Sequence, residues 1–86
     1  MNDSLIEYPC DFPIKVMGKE TDAFREAATA IVERIAGPES AATAATRSSS
    51  GGRYVGLSFT VHVTSREQLD ALYQALSDDE HVMVVL

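Results

Sequence analysis

From Tyr54 to Leu76 two structural periods stand end to end, and together they leave few folds open. Val55, Leu57, Phe59, Val61 and Val63 alternate with Tyr54, Gly56, Ser58, Thr60 and His62, the two-residue period of a strand buried on one face. Leu69, Leu72, Tyr73 and Leu76 then recur at helical spacing, behind Ser65-Arg66-Glu67-Gln68, which has the form of a capping box. A half-buried strand therefore runs into an amphipathic helix. At 86 residues the chain can hold one hydrophobic core, because a second could not bury enough surface to offset the entropy of ordering its own segment.

The remaining segments supply what that pair must pack against. Phe12, Ile14 and Val16 alternate with Pro13, Lys15 and Met17, which predicts a strand over residues 11–18 with Pro13 near its start, where a missing amide is tolerated. Thr21 or Asp22 can cap the helix that follows, whose apolar stripe is Phe24, Ala27, Ala28, Ile31, Val32 and Ile35. Gly37 is expected as its left-handed C-terminal cap and Pro38 as the block to its continuation. Residues 41–46 contain no large apolar side chain with which to anchor a helix, and predict a pale edge strand. The tract Ser48-Ser49-Ser50-Gly51-Gly52 then reads as a hairpin turn, its glycines supplying positive φ. Asp78-Asp79-Glu80 is expected to be a solvated break, after which Val82, Val84 and Leu86 alternate with His81, Met83 and Val85 in a final strand. Residues 1–10 show no period and are expected to form a loose arm before a single domain over 11–86.

The order strand, helix, strand, strand, helix, strand, with right-handed crossovers and both stripes facing one side, predicts an α+β, ferredoxin-like βαββαβ two-layer sandwich. Its four-stranded antiparallel sheet should have the order 4-1-3-2, with two helices on one face.

A hydrophobic content of 45% and a charged content of 23% are those of an ordinary folded domain. No apolar run approaches the roughly 20 residues that span a bilayer. Asp3 and Glu7 stand where a secretory leader would carry basic residues, so a cytoplasmic location is expected. Cys10 is the one cysteine, which excludes an intrachain disulfide, an iron–sulfur cluster and a thiolate zinc cage. Its neighbours Pro9 and Asp11 do not favour a thiolate, and it is read as inert. His62 and His81 have no metal-ligand spacing to a second histidine or a carboxylate in the sequence. A net charge of −6 repels phosphate backbones, which disfavours nucleic acid as a partner.

The run Phe12-Pro13-Ile14-Lys15-Val16-Met17-Gly18, the serine and glycine turn before Tyr54, the stretch from Glu67 to Leu76 and the closing Val84-Val85-Leu86 together resemble the YbeD-like family of small bacterial proteins. The resemblance spans residues 5–86. It implies a ferredoxin-like domain similar to the ACT regulatory modules of amino-acid metabolism, and it brings no assigned activity, cofactor or catalytic residue.

The same topology hosts acylphosphatases, which need an arginine in the loop after the first strand and an asparagine to orient water. Here that loop is Gly18-Lys19-Glu20-Thr21, and Asn2 is the one asparagine. RNA-recognition modules stack bases on aromatics of the exposed sheet face, where this chain offers Tyr54 alone. No catalytic, cofactor or metal residues are therefore assigned, and the chain is not expected to be an enzyme. Two features remain. Arg47, Ser49, Gly51 and Arg53 in the turn could contact an anion, although a plain hairpin needs the same residues. Lys15, Met17, Tyr54, Met83 and Val85 are expected on the sheet face left bare by the helices, where methionine adds adaptable apolar contact. The expected function is a non-catalytic regulatory or adaptor module that binds a protein partner, or a second copy of itself, through that face. The alternative is an ACT-like sensor that binds a small metabolite at a dimer interface.

Overall fold

The structure is a computed structural model that describes residues 7–48 and 51–86. Its elements run β1 (Cys10–Lys19), α1 (Asp22–Ala36), α2 (Pro38–Ala41), β2 (Ala45–Ser48), β3 (Tyr54–Val63), α3 (Arg66–Asp78) and β4 (Val82–Val85). The four strands form one antiparallel sheet in the order β2-β3-β1-β4, the ferredoxin-like order expected. β1 and β3 pair along their whole length, from Cys10 opposite Val63 to Lys19 opposite Tyr54.

The period-two residues of the two central strands do what their spacing demands. Ile14 and Val16 from β1, and Val55, Leu57, Phe59, Val61 and Val63 from β3, are all buried. The helices cover them with Phe24, Ala28, Ile31 and Val32 from α1 and Leu69, Leu72 and Leu76 from α3. Each fully buried Phe, Leu or Val of this kind is worth about 1.5–3 kcal/mol relative to its exposed state, so this one interlayer core holds the fold. Thr21 caps α1 by accepting from the Phe24 amide at 3.1 Å, and Ser65 caps α3 by accepting from the Gln68 amide at 3.1 Å. The expected loose arm falls mostly on residues outside those described, but from Tyr8 onward the chain packs against the core.

Three local expectations need correction. Gly37 has the positive φ foreseen, +97°, but its ψ of 161° is extended rather than left-handed helical, a combination open essentially to glycine alone. Pro38 accordingly does not end helical structure; it opens the short α2, at the first helical position where its missing amide costs nothing. The second strand also begins at Ala45 rather than at 41. Upstream of it, side chains replace the strand. The Ser40 hydroxyl accepts from the His62 amide at 2.9 Å, and the Thr43 hydroxyl accepts from the Thr60 amide at 2.7 Å. These are the β3 donors that a longer second strand would have paired. In the turn that follows β2, Gly52 has positive φ and Gly51 does not.

The fourth correction concerns β4. Val85 lies opposite Val16 and Val84 opposite Met17, yet Val82 lies opposite Gly18, so Met83 is an extra residue between two paired ones. This bulge reverses the expected parity of the strand's second half. Val85 turns to the core, whereas Val84 turns to the face away from the helices.

Burial raises the phenol of Tyr73 above its ordinary value of 10.0, and burial, followed by the neighbouring Cys10, Asp70 and Glu67, does the same for Tyr8. A group kept neutral by the fold contributes stability in full below the unfolded value and loses it as pH rises through the raised one. Thermal stability is therefore expected to decline above about pH 10, and Tyr73→Phe should flatten part of that decline. Melting curves across the alkaline range check this, and an unaltered slope in the variant would count against it.

Candidate functional site

The helices leave one side of the sheet bare, and its composition follows from strand register. Residues opposite one another on antiparallel strands point to the same side. One row across the sheet is therefore Arg47, Gly56, Met17 and Val84, and the next is Ala45, Ser58 and Lys15. Leu86 extends the second row by exchanging both backbone hydrogen bonds with Lys15, at 2.7 and 3.1 Å. Gly56 contributes no side chain, and the position of a Cβ there would touch the Arg47 carbonyl and the Met17 side chain at 3.8 and 3.9 Å. The sheet thus has a floor at Gly56 with Met17 and Arg47 on either side. Around that floor lies a concavity of about 600 Å³, lined by Lys15, Met17, Arg47, Tyr54, Ser58 and Leu86 among others.

Apolar groups here are open to solvent. Met17 is 37% exposed, Tyr54 40%, Val84 43% and Leu86 62%. Lys15, Met17 and Tyr54 therefore occupy the face expected of them. Met83 is exposed, but as the bulge residue it does not line the concavity. Val85 belongs to the core side, and its expected place is taken by Val84 and Leu86.

The expected anion contact divides. Arg47 lines the concavity, whereas Arg53 lines a separate hollow with Lys19, Glu20, Thr21, Gly52 and Tyr54. A Cβ at Gly51 would meet nothing within 4 Å among the described residues beyond its chain neighbours, and Ser49 is outside the described residues. Sequence spacing also missed a contact at the far end of the face. Register places Asp11 opposite His62, and the carboxylate meets the imidazole Nδ1 at 2.9 Å, with both side chains more than half exposed. The signal for it is the register of β1 on β3, which sets Asp11 across from His62. Among the described residues no group of three or more His, Cys, Asp or Glu side chains is placed to hold a metal ion. Among them, too, no helix is long and apolar enough to cross a membrane.

The model of a family described as a protein of unknown function, DUF493, matches residues 3–86. The chain belongs to the DUF493 family. Relatives of similar length agree with the match. A UPF0250 protein of Paraburkholderia phytofirmans is 50% identical over all of this chain and 97% of its own length. One of Bordetella parapertussis is 51% identical over 98% of this chain and 92% of its own length, and one of Nitrosomonas europaea is 49% identical over 98% and 97%. These are the small bacterial proteins that the YbeD-like resemblance pointed to. Within the DUF493 chain, the bare sheet face sets the exposed apolar side chains of Met17, Val84 and Leu86 beside the charges of Lys15 and Arg47.

Proposed function

We propose that this DUF493 chain is a non-catalytic regulatory or adaptor module that takes up a protein partner on the open face of its sheet. The observation that carries the reading is the exposure of Met17, Val84 and Leu86 on adjacent strands around the Gly56 floor. A monomeric domain has little reason to hold several large apolar side chains together in water, and such patches mark interaction sites. Met17 also has the rotamer freedom to repack against more than one surface.

A second reading rests on the concavity of about 600 Å³, which falls within the roughly 300–1,000 Å³ typical of small-molecule sites. A metabolite bound there would raise the melting temperature in proportion to its concentration over Kd, and a protein-binding module would show no such response to a metabolite panel.

The direct test is Met17→Asp combined with Val84→Asp. Both positions are exposed, so the helical signal in circular dichroism should stay unchanged, whereas capture of a partner from native lysate should be lost. Retention of the same captured protein by the double variant would sink the proposal.

A further inference from the structure

The acidic side chains of the two long helices outnumber the basic ones beside them, Arg25, Arg34 and Arg66. Asp22, Glu26 and Glu33 on α1 and Glu67, Asp70 and Asp78 on α3 are exposed on the helical side. The open side of the sheet instead carries Lys15 and Lys19 from β1 and Arg47 from β2, all exposed. Among the described residues no acidic side chain lines the concavity. Among the described strand residues the single acidic side chain on this face is Asp11, at the far end beside His62. A chain with a net charge of −6 therefore presents one cationic, partly apolar side.

Along β1 the exposed positions Lys15, Met17 and Lys19 repeat cation, apolar, cation, at steps of roughly 6.8 Å. The complement of that row is an extended segment with carboxylate, apolar and carboxylate side chains at alternate positions. We propose that the open sheet face binds an acidic protein segment whose carboxylates meet Lys15, Lys19 and Arg47 while its interleaved apolar side chains cover Met17, Val84 and Leu86. This rests on reading the open face as a binding surface, and it names the occupant.

Charge decides against the other candidates. A second copy docked face to face would close Lys15, Lys19 and Arg47 against their own counterparts, and like charges juxtaposed in a desolvated interface are strongly unfavourable. Nucleic acid would satisfy the cations but leave Met17, Val84 and Leu86 against phosphates and sugars, with Tyr54 as the one aromatic on which to stack a base.

The probe is a fluorescent peptide of three Glu-Ser-Leu-Ser repeats, titrated against the full chain, beside a Lys-Ser-Leu-Ser version and an oligothymidylate. The glutamate peptide is expected to bind at least about tenfold more tightly than the lysine one, and less tightly as salt screens the charges. Lys15→Glu with Lys19→Glu should reverse that preference, and Met17→Asp should weaken binding of the glutamate peptide about tenfold. Equal binding of the two peptides, no binding of either, or an oligothymidylate affinity that falls with the same substitutions would overturn the proposal. So would sedimentation showing self-association that Met17→Asp abolishes and Lys15→Glu does not weaken. In that case the face still binds, but its occupant is a second copy. If Met17→Asp with Val84→Asp alters neither peptide binding, self-association nor partner capture, the face is idle, and the reading under Proposed function falls with it.

Discussion

Gly18→Ala is expected to lower the stability of this domain by about 3 kcal/mol or more, although it adds a single methyl group. Gly18 ends the regular part of β1, on the core side of the sheet opposite both Val55 and Val82. A Cβ there would lie against the Phe24 ring, 2.6 Å from its Cε1 and 2.7 Å from the His81 carbonyl oxygen. Phe24 is fully buried, so its ring can move only by displacing core neighbours, while His81 contributes backbone at the entry to β4. Overpacking a tight core costs about 1–3 kcal/mol when side chains can adjust, and here one of the two obstacles is main chain. For a domain of this size each kcal/mol moves the melting temperature by roughly 4–8 °C, so a loss of at least about 12 °C should be seen by calorimetry. Gly56→Ala is the matched control. Its added methyl would meet neighbours at 3.8 and 3.9 Å, ordinary contact distances, and its stability should stay within about 0.5–1 kcal/mol of the parent. Phe24→Leu in the Gly18→Ala background should recover part of the loss, because it clears the ring but not the carbonyl. Equal melting temperatures for the two glycine variants would refute this account of β1.

Ser40→Ala should cost about 1–3 kcal/mol, the penalty for leaving a partly buried amide without its acceptor. Ser40 is 2% exposed, and its hydroxyl is the acceptor for the His62 amide. Thr43→Val should cost less, roughly 0.5–1.5 kcal/mol, because water can reach the Thr60 amide that it leaves. The two are linked, since the Thr43 hydroxyl also donates to the Ser40 carbonyl at 2.7 Å, and the double variant should depart from additivity. Hydrogen exchange reads the effect residue by residue. The His62 amide should lose protection in Ser40→Ala, and the Thr60 amide in Thr43→Val, with the Gly56 amide unaffected because β2 still pairs there through Arg47. Unchanged protection at His62 in Ser40→Ala would show that the hydroxyl is not its partner.

Those residues also mark where sequence patterning stopped being informative. The central strands and the two long helices could be read directly, because each has one wet face and one dry face and so prints its period in the apolar residues. The layer order followed from them. Residues 41–44 have no such print. Ala41 and Ala42 fit any element, and the hydrogen bonds of Ser40 and Thr43 to β3 depend on side-chain placement that no period encodes. In β4 the parity is hidden for the opposite reason. Val82, Met83, Val84 and Val85 are all apolar, so alternation gives no parity, and the bulge at Met83 fixes it instead. A glycine near the end of an otherwise regular strand often signals a bulge on its neighbour, and Gly18 was that signal. Of the open sheet face, Lys15, Met17 and Tyr54 are readable from the periods of β1 and β3, whereas Val84 and Leu86 depend on the bulge.

The hydroxyls of Ser40 and Thr43 have a further effect outside the folded monomer. From Phe59 to Val63 the third strand is a run of strongly β-forming residues whose outer edge β2 does not reach. An uncovered edge of that kind is a template for strands of other chains. By occupying the donors at Thr60 and His62, two short side chains close the edge without offering a new one. Removing both hydroxyls is therefore expected to reopen that edge to pairing between chains at high concentration.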